Sequence, residues 1–304
     1  MFAGIWVFAA VGAGFFQAWR SASQARLRSD VSVGGAALVR YLYGFPMALL
    51  LVMAWPGSHL ALLATPSLDY LLLAAGGALA QMTGTFLLIL SFGQRGFVAG
   101  TAFSKTEVLQ AALFSAFILG ERLSGLAWSG ILIGLVGVFM LALTGRNLKA
   151  RELIAALAQP AALAGLGAGA NIAIAAVLIK AATAKVAGSD PVGAALSTLA
   201  VVTAIQTSSH LMWALHCDRA TVLAVFRAWR TASQVGILSA LGSALWFIAF
   251  AMAPVALVRI VGQVEVLFTI AFARLYLSQK VRSRDLAALG LFTSGTILVL
   301  LDIC

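Results

Sequence analysis

The chain has 304 residues, of which 62% are hydrophobic and only 10% are charged, and its mean hydropathy is +1.01. A water-soluble domain carries roughly 25% charged residues because its surface must be hydrated, so this composition excludes a soluble globule and predicts a membrane protein. The net charge of +10 lies mainly in short loops between apolar segments. Basic residues in such loops set the orientation of a protein in the membrane and contact anionic lipid headgroups. We therefore do not expect the positive charge to bind nucleic acid.

Ten apolar segments follow one another along the chain, each close to the roughly 20 residues that a helix needs to cross a bilayer. The first has no basic leader and no small-residue cleavage site, so we expect it to be retained rather than removed as a signal peptide. We predict an all-α membrane protein with ten transmembrane helices at 3–22, 33–55, 68–92, 97–119, 123–143, 158–180, 192–215, 233–252, 254–276 and 286–303.

The basic residues are divided unequally between the two sides of this arrangement. Fourteen of the 20 Lys and Arg residues lie in the odd-numbered loops, and only Arg122, Lys180 and Lys185 lie in the even-numbered ones. Cytoplasmic loops carry the excess of Lys and Arg. The distribution therefore predicts cytoplasmic odd loops and places both termini outside.

Short sequence matches recur at a constant offset of 158 residues. They pair 35–38 with 193–196, 84–87 with 242–245, and 107–109 with 265–267. A repeat of five helices ends on the side opposite to its start, so its copy is inverted, as in many secondary transporters. We predict a first five-helix repeat at 1–145 and an inverted second repeat at 146–304, with a binding site near the midplane where they meet.

Three sequence features carry a family resemblance: Lys105-Thr106-Glu107, the run Leu119-Gly120-Glu121-Arg122-Leu123-Ser124, and a Gly-rich fifth helix with Gly130, Gly134 and Gly137. With the partial copy that ends near Gly290 and Gly295, they resemble the drug/metabolite transporter (DMT) superfamily in its EamA-type ten-helix branch. The resemblance implies two inverted repeats around a central cavity lined mainly by helices 1, 3, 4, 6, 8 and 9. It also implies movement of small metabolites, often outward, across the bacterial inner membrane. Relatives usually keep both termini in the cytoplasm, opposite to the charge distribution here.

An ionisable side chain inside a membrane helix costs about 2.5–3.5 kcal/mol by insertion scales, so it should face a cavity or a partner. We expect Lys105, Arg259 and Gln263 to offer positive charge and donors to an anionic or zwitterionic substrate. Weaker candidates for substrate binding are Gln17, Gln81, Asn171 and Trp246. For charge balance or coupling the candidates are Glu107, Glu265 and Arg40.

Each of these residues also has a structural interpretation. Arg40 can reach the membrane boundary by snorkelling, and lone polar residues in membrane helices are as often interhelical hydrogen-bonding groups as ligand contacts. The two glutamates are slightly better explained by structural ion pairs than by substrate contact. Glu121 fits helix capping, and the Gly130–Gly134 pair fits close helix packing.

The leading functional hypothesis is a secondary transporter that acts as an exporter or exchanger. Its substrate would be a small polar metabolite such as an amino acid or an organic anion. Alternatives are a proton-coupled multidrug exporter, an organic-phosphate carrier, or a non-transporting assembly or lipid-flipping subunit. An enzyme is not expected, since no nucleophile–base pair appears and His59, His210 and His216 lack metal-ligand spacing. We expect no metal and no cofactor. The partners are a small-molecule substrate and membrane lipids, with a homodimer left open.

Overall fold

A computed structural model of the chain describes residues 4–27, 31–56, 67–93, 103–142, 160–186, 190–268, 271–272, 291, 294–295, 297–298 and 301. These residues form helices and connecting turns and contain no strand. Most basic residues of the predicted odd loops, the proposed repeat boundary at 145/146, His59, Gly290 and Cys304 lie outside the described residues.

Eleven helices are assigned within this part of the chain. They are α1 (Ile5–Leu27), α2 (Val33–Leu42), α3 (Gly44–Ala54), α4 (Leu68–Gly93), α5 (Glu107–Leu119), α6 (Gly125–Ala142), α7 (Pro160–Thr183), α8 (Pro191–Cys217), α9 (Arg219–Arg227), α10 (Trp229–Met252) and α11 (Val255–Gly262).

Five stretches are long and apolar enough to cross a membrane: Gly34–Ala54, Leu68–Leu88, Ala162–Thr183, Pro191–Cys217 and Trp229–Met252. These stretches confirm the prediction of an all-helical membrane protein. The full count of ten spans stays a prediction, because the segments 97–119, 254–276 and 286–303 lie partly outside the described residues.

The predicted second helix is interrupted at Tyr43, where α2 ends and α3 begins. Pro46 explains the break, because it has no N–H for the carbonyl of Leu42 and its ring clashes with that carbonyl. Gly236 of α10 packs directly against the turn: a Cβ at Gly236 would lie 2.9 Å from the backbone nitrogen of Gly44 and closer still to Tyr43. The missing side chain lets α10 reach the interrupted helix.

Helix α9 occupies a stretch that the hydropathy pattern treats as a loop. Asp218 explains its start, because the carboxylate accepts hydrogen bonds from the backbone N–H and the hydroxyl of Thr221, and such an N-cap satisfies helix donors that otherwise lack partners. The next helix, α10, begins at Trp229 rather than at the predicted residue 233. The basic loop between the seventh and eighth predicted spans is therefore helical.

The chain forms two compact units. The first comprises Met1–Leu79, Leu178–Ala253 and Val264–Ser278, and the second comprises Ala80–Val177, Pro254–Gln263 and Gln279–Cys304. Each unit takes residues from both halves of the sequence, so the units are not the predicted repeats, and the two-repeat division stays a prediction.

In the first unit, α1 lies along α10, and α8 packs against α2, α3 and α10. Glycines permit the closest approach: a Cβ at Gly12 of α1 would lie 2.9 Å from Leu245 Cδ1 of α10. In the second unit, α11 packs against α5 and α6. There Gly295 lies directly against Gly130 and Gly134 of α6, where a Cβ on Gly295 would overlap their backbone atoms. This contact is the close helix packing expected of a small-xxx-small pair.

Candidate functional site

A buried polar cluster in the second unit contains Glu107, Arg259 and Gln263. Gln263 Nε2 donates a hydrogen bond of 3.1 Å to Glu107 Oε1, and Arg259 Nη1 lies 3.8 Å from the same oxygen. The three residues are only 8%, 7% and 2% exposed, respectively. Glu107 therefore neutralises Arg259 inside the unit, and Gln263 adds a hydrogen bond to the carboxylate.

The local sequence explains how these side chains meet. Arg259 and Gln263 are four residues apart, so they share one face of α11 and its C-terminal turn. Glu107 is the first residue of α5, which packs directly against α11. Lys105 lies two residues earlier, half-buried in the turn before α5, so it does not share the face of Glu107.

Helix α7 closes over the start of α5 in the same unit. A Cβ at Gly169 would lie 2.9 Å from the carbonyl oxygen of Ser104 and 3.3 Å from the backbone nitrogen of Glu107. Gln110 Nε2 lies 3.2 Å from Thr106 Oγ1 and 3.5 Å from the carbonyl oxygen of Leu166. The glycine lets α7 cover the polar turn that precedes Glu107.

A second polar cluster lies in the first unit and contains Gln17, Trp246 and Glu265. Gln17 Nε2 donates to Glu265 Oε2 at 2.6 Å, and Trp246 Nε1 donates to Gln17 Oε1 at 3.1 Å. The close contact of α1 with α10 brings Gln17 to Trp246, whose ring stacks on Phe250. Glu265 is half-buried, and Arg20 lies within electrostatic range of it.

Both glutamates follow a similar interruption of helical structure. Lys105 and Thr106 form a turn before Glu107, and Gln263 and Val264 form a turn before Glu265. The hydrogen bonds at these turns span three residues, from Thr106 N to Phe103 O (3.2 Å) and from Gln263 N to Ile260 O (3.1 Å). Tightened 3₁₀ turns within helical structure often accompany functional sites.

Three further candidates have other contacts. Asn171 donates through Nδ2 to the carbonyl oxygen of Gly167 in its own helix, at 2.9 Å. Gln81 is half-buried in α4. Arg40 lines a small cavity in the first unit together with Tyr41, Gly44 and residues of α8 and α10.

Three contacts were not foreseen from the sequence. Lys180, which the sequence analysis places in a loop, lies in α7, and its Nζ donates a hydrogen bond of 2.7 Å to the carbonyl oxygen of Ala253. The sequence signal for this contact was Pro254, which has no N–H and so ends α10 beside that carbonyl. Gln206 donates to the carbonyl oxygen of Ala78. Glu121 Oε2 accepts the backbone N–H of Val255 at 3.1 Å and so caps the start of α11, in line with its structural interpretation.

The described residues contain no group of three or more His, Cys, Asp or Glu side chains placed to hold a metal ion. The arrangement in both units is instead a set of hydrogen-bonded carboxylates, amides and guanidinium groups within apolar helices. Groups of these kinds can bind polar ligands, exchange protons or form ion pairs and hydrogen bonds with each other.

No protein-family model matches the chain, and no curated protein matches it in sequence. Among solved structures, the crystal structure of another protein is similar over nearly the full length of both chains. It has a TM-score of 0.70 at 17% sequence identity, covering 98% of this chain and 96% of that chain. At this identity the similarity shows that the two chains share a fold.

Proposed function

We propose that the protein is a secondary transporter of the EamA type, which moves a small polar metabolite across the bacterial inner membrane by alternating access. The observation that carries the proposal is the pair of glutamates, each following a turn and hydrogen-bonded within apolar helices. Ionisable groups are expensive inside a membrane and mark substrate, ion or proton pathways. Interrupted helices at corresponding positions of two halves are a further feature of transporters.

The substrate class is a small metabolite with an acidic group, either an amino acid or an organic anion. The proposal draws on basic residues in both units, namely Arg20 and Arg40 in the first and Lys105 in the second. Arg259 contributes less than the sequence suggests, because Glu107 already balances its charge. An organic phosphate is a variant of the same anionic class.

A proton-coupled drug exporter is the second candidate. Glu265 favours it, because this carboxylate is half-buried among apolar helices, where ionisable groups mark substrate, ion or proton pathways. In either version we assign Glu265 a coupling role and Glu107 a structural or gating role.

Transport is tested with purified protein in proteoliposomes and a panel of labelled amino acids, organic acids, sugar phosphates and cationic drugs. We expect saturable uptake of a carboxylate-bearing compound, and loss of pH-gradient-driven uptake in Glu265→Gln. Arg230→Gln is the matched control, because Arg230 lies over the ring of Trp229, outside both clusters. Absence of uptake of every compound would refute the carrier and favour an assembly or lipid-flipping subunit.

For orientation we propose cytoplasmic odd loops with both termini outside. Cys217 offers a direct test, because it is exposed at the end of α8, beside the loop assigned to the cytoplasm. In a Cys304→Ala background, a membrane-impermeant maleimide should label Cys217 only after the cells are permeabilised. Labelling of intact cells would reverse the assignment.

A further inference from the structure

Helix α9 (Arg219–Arg227) connects two stretches that are long and apolar enough to cross a membrane, Pro191–Cys217 and Trp229–Met252. A helix of nine residues is only about 13 Å long, much shorter than the roughly 30 Å of a bilayer's hydrocarbon core. We therefore place α9 at the membrane boundary, where the chain turns from one span to the next.

The inner face of α9 is fixed against α2. Val222 and Val225 belong to one buried apolar cluster with residues of α2. The hydroxyl of Thr221 lies 2.8 Å from that of Ser32, the residue that caps α2. Gly35 permits this approach, since a Cβ there would lie only 3.1 Å from Thr221 Cγ2. The packing determines which side of α9 faces away from the protein.

The outer face of α9 is both apolar and basic, and we call it the α9 surface: Arg219, Leu223, Phe226 and Arg227. Leu223 and Phe226 are 59% and 52% exposed, and their spacing of three residues places them on one side of the helix. Both arginines are exposed, and Arg219 Nε donates to the carbonyl oxygen of Leu215 at 2.9 Å. Large apolar side chains beside basic ones are typical of a helix that lies in the plane of the membrane interface.

Exposed tryptophans before and after α9 give an independent indication of its depth. Trp213 lies four residues before the end of α8, and Trp229 is the first residue of α10. Each is 55% exposed. Tryptophan side chains are enriched at the level of the lipid headgroups. The two residues therefore favour the same level for the helix between them.

The charges of this segment favour an anionic lipid over a neutral one. Residues 191–228 contain two arginines and a single acidic residue, Asp218. The carboxylate of Asp218 is used within α9, where it accepts hydrogen bonds from Thr221. The segment thus supplies no second carboxylate for Arg219 and Arg227. Each basic side chain near an anionic bilayer surface adds to the attraction.

We propose that the α9 surface binds anionic phospholipid: its two apolar side chains enter the upper acyl region, and its two guanidinium groups pair with headgroup phosphates. A guanidinium can hold two phosphate oxygens at once. The connection between these two spans is then a folded lipid-binding element. The proposal does not depend on transport, because the α9 surface shares no residue with the Glu107 or Glu265 clusters.

Lipid binding is measured by thermal unfolding of the full-length protein in neutral detergent, titrated with phosphatidylglycerol or phosphatidylcholine. We expect phosphatidylglycerol to raise the unfolding temperature more, because a ligand that binds the native state stabilises it. The Arg219→Gln/Arg227→Gln double variant should bind phosphatidylglycerol about 25-fold more weakly, since each basic residue at an anionic surface changes affinity about fivefold. Its response to phosphatidylcholine should equal that of the wild type.

Single variants provide a matched comparison. Arg227→Gln should lose about fivefold in affinity for phosphatidylglycerol, and it breaks no hydrogen bond or ion pair among the described residues, so it should fold normally. Lys185→Gln removes one charge elsewhere in the same unit, where Lys185 Nζ lies 3.7 Å from Asp69 Oδ2, and it should bind as the wild type does. Equal losses in the two variants, no loss in Arg227→Gln, or equal stabilisation of the wild type by inorganic phosphate would overturn the proposal.

Insertion of the apolar side chains is measured with a nitroxide spin label on Phe226→Cys or Ala220→Cys, in a Cys217→Ala/Cys304→Ala background and in vesicles containing phosphatidylglycerol. Residues six apart lie about 120° apart around a helix, and Ala220 is also exposed. We expect collisions with oxygen to dominate at position 226 and collisions with a water-soluble nickel complex at position 220. Water exposure at both positions would contradict insertion. Spin–spin broadening at position 226 would instead show a second copy of the chain on this surface and overturn the lipid assignment.

Discussion

Glu107 and Glu265 both follow a helical turn, but the surroundings of the two carboxylates differ. Glu107 is nearly fully buried and lies against a cation, Arg259, and an amide, Gln263. Glu265 is half-buried, accepts a hydrogen bond from the amide of Gln17, and lies within electrostatic range of Arg20. The comparison predicts that the first cluster contributes more to the stability of the fold than the second.

The largest expected effect is on stability when Glu107 is removed. Glu107→Ala leaves the buried guanidinium of Arg259 without its carboxylate, and breaking a buried pair in this way costs about 3–5 kcal/mol. Glu265→Ala removes a hydrogen bond at a half-buried position and should cost only about 1 kcal/mol. Thermal or denaturant unfolding in detergent measures both.

An apolar replacement of the whole pair sharpens this contrast. Glu107→Leu combined with Arg259→Met should recover most of the stability lost in Glu107→Ala, because no buried charge remains. Equal losses in Glu107→Ala and Glu265→Ala would contradict the distinction between the two clusters. Recovery of stability without recovery of uptake would assign the Glu107–Arg259 pair to transport.

A smaller effect is expected from Trp246→Phe in the first unit. The substitution keeps an aromatic ring against Phe250 and removes only the indole N–H that donates to Gln17 Oε1. One hydrogen bond contributes about 1 kcal/mol. The unfolding temperature should therefore fall slightly, while Trp246→Ala, which also loses the ring, should lower it much more. No difference between the two variants would show that the stacking contributes nothing, and an unchanged unfolding temperature in Trp246→Phe would show that the hydrogen bond contributes nothing.

The sequence was sufficient for the helical class and for several local features. The spacing of Arg259 and Gln263 predicted their common face. The partner of Glu107 was not predictable, because it depends on the packing of α5 against α11. Asn171 bonds to the carbonyl oxygen of Gly167 in its own helix, a contact that depends on the side-chain conformation and not on composition. The break at Tyr43 was missed although Pro46 signals it, since hydropathy averages over a proline.

The smallest predicted effect concerns Asp190, which caps α8 at the edge of the first unit. The indole N–H of Trp55, with the backbone N–H groups of Gly193 and Val192, holds the pKa of the Asp190 carboxyl below its ordinary value of 3.8. A lowered pKa in the folded state means that the stabilisation is present above pH 4 and is lost as the pH falls further.

Asp190→Asn keeps a capping side chain but removes the charge, so it should lower stability at pH 7 by only a few tenths of a kcal/mol at this exposed site. The difference from the wild type should shrink below pH 4. Trp55→Phe is the matched variant and should remove part of the same pH dependence. A difference that stays constant down to pH 3 would show that the charge of Asp190 has no role.

The amide of Gln17 uses its two ends for two different partners, and this has a spectroscopic consequence. Its nitrogen donates to Glu265 while its oxygen accepts from the indole of Trp246. If Glu265 takes up a proton and donates it to the amide oxygen, the amide must rotate by half a turn, and its N–H₂ group then faces the indole N–H. Two donors cannot bond to each other, so the indole is released. The indole N–H resonance of Trp246, one of seven tryptophans, would therefore report a rotation of the Gln17 amide.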